Sequence, residues 1–176
     1  MFDMAIFKAT YTKKSKGAKA NIRYIEHRAG KDGARLTRTL YGIDGNMERR
    51  EAYRMIDEAG KGSVFYRLVI NFDAEKEDTN RDLYIQTITE NTMSAVENRF
   101  GQPVQWVAAT HADHTPLRHV HILAILPKKL QVHDLQAIRS LATEAAVTQR
   151  HQRDKVVEIQ RREEQEKEAG QWELQR

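Results

Sequence analysis

Three histidines, His111, His119 and His121, stand where a single divalent cation could collect them. His119 and His121 are two residues apart in an apolar run that continues over residues 120–126, so a strand there directs both side chains from one face. His111 closes a second strand-like run, residues 104–111. Between the two runs, Asp113, His114, Thr115 and Pro116 give residues 112–118 the composition of a turn. A hairpin folded about that turn sets His111 opposite His119, with Cβ atoms about 4.5–5.5 Å apart. The chain has no cysteine, which excludes disulfides, thiol catalysis and cysteine-ligated zinc together. Three imidazoles with an open position are the arrangement of a catalytic metal rather than a closed structural one. The isolated His27, His133 and His151 lack this pattern and read as structural or solvated. His114, in the turn, reads as exposed or as a contact to substrate.

A cation held by neutral imidazoles can stabilise charge on a phosphodiester oxygen during in-line displacement, and such chemistry needs a nucleophile. No serine sits in an activated setting, and the chain has six tyrosines: Tyr11, Tyr24, Tyr41, Tyr53, Tyr66 and Tyr84. Tyr66 reads as core of a buried strand, Tyr84 as the apolar face of a helix and Tyr53 as structural. Tyr24 differs, because its helix is entered from the basic loop of residues 13–19, whose amides and lysines could hold a phosphate. Tyr11 and Tyr41 stay open as alternatives.

Charge points the same way. Residues 1–50 hold 12 Lys/Arg against 5 acids, a local excess of +7 inside a chain of net charge +4, so the remainder carries −3. A basic block beside a metal centre suits a polyanion, most simply nucleic acid. With 9 glycines, 3 prolines and mixed charge, the 176 residues should be folded for most of their length. The start lacks the basic and long apolar regions of a secretion signal, and no apolar run reaches membrane-spanning length.

The elements that must position these residues alternate. Residues 4–11 read as a strand, 18–28 as a helix stopped by Gly30, 35–41 as a strand of mixed polarity and 46–59 as a charged helix. Residues 64–72 are the most strand-like run, and 79–100 have helical spacing ending at Gly101. The histidine hairpin follows, then helix from residue 133 with an apolar stripe that fades after Val147. The expected fold is α+β: a central antiparallel sheet of about five strands with flanking helices, plus a charged C-terminal helix. Residues 1–150 form the expected domain and 151–176 a charged helical extension or linker.

The spacing of His111, His119 and His121, with Asp113 beside them, resembles the metal motif of plasmid mobilisation relaxases of the HUH endonuclease superfamily. The stretch from Ser15 to Ile25 is similar to the nucleophile region of MobA-type relaxases, and the order of elements agrees through about residue 145. Other branches of the superfamily carry the tyrosine after the histidine motif, whereas every tyrosine here precedes His111. The resemblance implies an HUH-like fold in which Tyr24 attacks one phosphodiester of single-stranded DNA at a transfer origin. The product is a 5′-phosphotyrosine link and a free 3′-hydroxyl. It implies His111, His119 and His121 as ligands of Mn²⁺ or Mg²⁺, with Asp113 orienting a ligand imidazole or assisting the phenol. Lys14, Lys16, Lys19, Arg23 and Arg118 become expected DNA contacts. It further implies a cytoplasmic, bacterial, mobile-element-encoded protein without membrane insertion, working with accessory relaxosome proteins and a coupling protein. Two other classes use the same features differently: a histidine-metal hydrolase on another substrate, and a nonenzymatic single-stranded DNA-binding protein.

Overall fold

The computed structural model describes residues 6–30, 32–113 and 117–173. The expected α+β fold is present, with six strands rather than about five. In chain order the elements are β1 (Ile6–Thr12), α1 (Ser15–His27), β2 (Leu40–Gly42), β3 (Gly45–Met47), α2 (Arg49–Asp57), β4 (Val64–Asn71), α3 (Ile85–Phe100), β5 (Gln105–His111), β6 (His119–Leu126) and α4 (Val132–Glu173). All strands pair antiparallel in one sheet, in the order β1-β4-β6-β5-β2-β3.

Strand alternation divides the protein into two cores. Leu68, Ile70, Trp106, Ala108, Ile122 and Ala124 pack on one face against Ile88, Met93 and Val96 of α3 and Ile138, Ala142 and Ala146 of α4. Phe65, Val107, Ala109 and Leu123 pack on the other against Ala18, Ile22 and Ile25 of α1 and Ala52 and Ile56 of α2. Residues 111, 119 and 121 share the parity of this second set, so the histidines face α1. The hairpin register follows: His111 opposes His119 and Ala109 opposes His121.

Four elements differ from expectation, each through a contact that local propensity does not report. α1 starts at Ser15 instead of after a loop over residues 13–17, because the Gly17 and Ala18 N–H groups close its first turn on the Lys14 carbonyl. Gly17 lies against Thr12, where an added Cβ would come within 3.2 Å of Oγ1. Residues 35–39 are not a strand. The Arg38 N–H donates to the Glu26 carbonyl and its guanidinium to the Arg28 carbonyl, so the segment lies along the end of α1. The expected helix over 46–59 is split, since Gly45–Met47 turns back on β2 and only Arg49–Asp57 is helical. Residues 79–84 are not helical, because the Asp78 carboxylate accepts the Leu83 N–H and also binds Arg118. That loop is held as a brace, and α3 begins at Ile85 and ends at Gly101, whose φ of 66° is the left-handed conformation of a C-terminal glycine.

α4 is a single helix of 42 residues. It stays packed on the sheet through Arg150, which pairs with Asp82 at 2.5 Å, and Arg153 pairs with the same carboxylate at 3.0 Å. Beyond this clamp its described side chains are exposed. Among the described residues no helix is long and apolar enough to cross a membrane.

Candidate metal centre

His111 ends β5, and His119 and His121 open β6, so the three imidazoles gather at one end of the central hairpin. Their ring centroids are 4.5 Å (His111–His121), 5.1 Å (His119–His121) and 5.2 Å (His111–His119) apart. One nitrogen from each lies within 4.8 Å of the other two. His111 is fully buried, His119 is 4% exposed and His121 is half-buried.

Main-chain carbonyls set the tautomers. The Ile25 carbonyl, in the last turn of α1, lies 2.7 Å from His111 Nε2. A carbonyl can only accept, so Nε2 carries the proton and the lone pair lies on Nδ1. Helix ends leave such carbonyls without partners inside the helix, and the negative end of the helix dipole favours a cation nearby. His119 Nδ1 lies 3.3 Å from the Leu117 carbonyl, the same device on the second ring. His111 Nδ1 and His121 Nε2 are buried and have no hydrogen-bond partner among the described residues. Each desolvated, unsatisfied nitrogen costs about 1–3 kcal/mol, and a cation shared between them removes that cost. The donor set therefore fits a metal ion. Burial pushes the His111 imidazole down to about 4, against the opposing pull of the Ile25 carbonyl. Burial and then the neighbouring His111 and His119 push His121 down to about 3. Both rings are neutral at physiological pH, the state that binds metal.

Asp113 is engaged elsewhere. Arg38 Nη2 holds both its oxygens, at 2.7 and 2.8 Å, and the partners that orient the imidazoles are the Ile25 and Leu117 carbonyls instead. Burial raises the Asp113 carboxyl, but the Arg38 hydrogen bonds and charge outweigh it and leave it below the usual carboxylate range. Arg38 thus ties the loop after β5 to the end of α1.

The tyrosines separate by face. Tyr24, on α1, sets its ring edge-on to His121 with centroids 5.9 Å apart, and it is 46% exposed. Tyr41 pairs with Ala108 on the opposite face, where it is buried with its hydroxyl between Thr89 and Thr110. Tyr11 opposes Tyr66, also on that far face, in the row of Ala124, three residues along the sheet from His121 and five from His119, or about 10 and 17 Å. Lys129 lies over the Tyr11 ring at 4.7 Å, and its hydrogen bond lowers the Tyr11 phenol.

The expected DNA contacts also divide. Lys14, at the N-cap of α1, and Lys16 and Arg23 within it, are exposed. Lys19 pairs with Asp57 at 2.6 Å. Arg118 binds Asp78 at 2.5 and 2.6 Å and the Leu83 carbonyl at 3.1 Å, which commits its guanidinium inside the protein rather than to a ligand. His133 and His151 are exposed on α4, His27 approaches Glu26 at 3.1 Å, and His114 lies outside the described residues. Three groups that adjoin the cluster are not marked by residue type in the sequence: the Ile25 carbonyl, Arg38 and Arg28, the last two of which count there only as charge. Arg28 stands one helical turn after Tyr24, and that spacing was the available signal.

The chain matches no protein-family model, no curated protein and no solved structure. The likeness to relaxases rests on the residues of this chain alone.

Proposed function

We propose that the protein is a metal-dependent relaxase that nicks single-stranded DNA at a transfer origin by tyrosine transesterification, for plasmid mobilisation. The observation that carries this reading is the edge contact of Tyr24 with His121 on the α1 face of the sheet, which sets an accessible phenol against the three histidines. Tyr11 and Tyr41 occupy the other face, so Tyr24 is the nucleophile of the proposed reaction.

His111, His119 and His121 hold the ion, Mn²⁺ or Mg²⁺ in use, although three imidazoles also suit Zn²⁺, Ni²⁺ or Cu²⁺. A divalent cation bound there supplies charge stabilisation for a phosphoryl oxygen. Tyr24 Oη forms the new bond to phosphorus and the bond from phosphorus to the 3′-oxygen breaks. The phenol proton passes to solvent, and the departing oxygen takes up a proton to become a free 3′-hydroxyl. The 5′-phosphotyrosine link retains the phosphoester for later rejoining. Lys14, Lys16 and Arg23 are exposed cations on and beside α1 for the DNA backbone. Accessory relaxosome proteins and a coupling protein are the partners this activity would require.

The test is covalent capture. The protein with Mn²⁺ is incubated with a labelled, random-sequence single-stranded oligonucleotide pool and resolved on denaturing gels. A protein–DNA band lost with chelator and with Tyr24→Phe is the expected result. Metal-loaded protein that forms no adduct with any member of the pool would instead favour a hydrolase acting on another substrate. DNA binding that is indifferent to metal would favour a binding protein.

A further inference from the structure

We propose that Arg28 is a further catalytic residue, a cation that grips the phosphodiester undergoing attack and stabilises the charge that gathers on its non-bridging oxygens. This rests on the relaxase reading. Arg28 caps the C-terminus of α1, four residues after Tyr24, so the two side chains share one face of the helix. Its guanidinium carbon lies 5.6 Å from the centre of the Tyr24 ring, and the same ring meets His121. Arg28, Tyr24 and the histidine cluster therefore form a continuous row.

Lys14, Lys16 and Arg23 are exposed on and beside α1, whereas the cations around the end of that helix are paired. Arg38 is paired with Asp113, Arg49 with Glu26, Lys19 with Asp57 and Arg118 with Asp78. The Arg28 guanidinium has no acidic partner among the described residues, and the residue as a whole is half-buried. The Arg28 backbone is fixed, because its carbonyl accepts the Arg38 Nη1–H at 2.7 Å. An unpaired guanidinium beside a site built to hold a second positive charge is repulsive when both are present. An anion shared between them removes that repulsion, and guanidinium matches a phosphate in geometry as well as charge. In the step described above, Tyr24 Oη bonds to phosphorus as the bond to the 3′-oxygen breaks. Arg28 donates hydrogen bonds to a non-bridging oxygen throughout and exchanges no proton.

The experiment uses the full chain, Mn²⁺ and an oligonucleotide recovered by covalent capture. Arg28→Ala should lower the single-turnover rate of adduct formation about 100-fold, the scale of removing one donor aimed at developing charge. Mn²⁺ affinity should stay within twofold of the parent, and added guanidinium ion should restore part of the rate. A second readout avoids turnover. In Tyr24→Phe protein, an uncharged methylphosphonate at the scissile linkage should weaken binding, and adding Arg28→Ala should abolish that discrimination. An Arg28→Ala adduct rate within threefold of the parent overturns the proposal while leaving the relaxase reading intact. So does a rate loss matched by an equal loss of Mn²⁺ affinity, because Arg28 would then be shaping the metal centre. A parent protein that forms no adduct overturns both.

Discussion

At the scale of residues, the histidine cluster carries a built-in conflict. His111 Nδ1 and His121 Nε2 are buried without partners among the described residues, so the metal-free protein bears a desolvation cost that a bound ion would relieve. His121→Leu should therefore abolish metal binding and yet raise the stability of the metal-free protein by about 1 kcal/mol. Calorimetry with metal and denaturant titration without it measure the two effects, and a metal-free variant less stable than its parent would refute the second. The pH response follows from the same burial. In the folded chain His111 titrates at about 4 and His121 at about 3, against about 6.5 when unfolded, so the unfolded state binds more protons between those limits. Stability of the metal-free protein should be level above about pH 6.5 and fall as the pH drops toward 4. A thermal midpoint that instead rose on acidification over this range would contradict the assigned neutral state.

At the scale of elements, the site depends on how the end of α1 is fixed to the sheet. Arg38 makes that joint, through the Glu26 and Arg28 carbonyls on one side and Asp113 on the other. Arg38→Ala should cost about 2 kcal/mol of stability through lost charged hydrogen bonds. It should also weaken metal binding about 10-fold by loosening the Ile25 carbonyl from His111, an outer partner of the ligand set. A denaturant midpoint and a metal titration check these together, and unaltered affinity would mean that α1 holds its position without Arg38. This joint marks the limit of what the chain shows when read residue by residue. Strand alternation in residues 104–111 and 120–126, with a turn between, was enough to place His111 opposite His119, because hairpin pairing is local. The basic run before Tyr24 favoured that phenol but left Tyr11 and Tyr41 open, because packing rather than spacing decides which ring reaches the histidines. Arg38 could not be read, since its partners are carbonyls and a carboxylate 10 and 75 residues away. The missing strand at 35–39 and the missing helix at 79–84 have the same cause. Side chains there are drawn to distant groups, and propensity carries no record of them.

At the scale of the whole molecule, α4 reaches beyond the body it helps to close. Past the Asp82 clamp with Arg150 and Arg153, residues 154–167 extend α4 by about 20 Å with exposed side chains, Val156, Val157 and Ile159 among them. A chain ending at Asp154 should therefore keep its metal affinity and its thermal midpoint to within about 2 °C, whereas one ending before Arg150 should lose several degrees. Circular dichroism melts of the two truncations decide this, and a large loss in the longer one would show that the extension supports the domain. The antiparallel hairpin has a separate consequence, for the order in which the molecule comes together. Its three histidines lie close together in the chain, between positions 111 and 121, whereas the Ile25 carbonyl meets His111 across a separation of 86 residues. Local contacts form sooner than distant ones during folding. On the proposed function, a refolding chain should thus gather its three histidines first and bring Tyr24 to them afterwards, passing through a species able to hold metal but chemically idle.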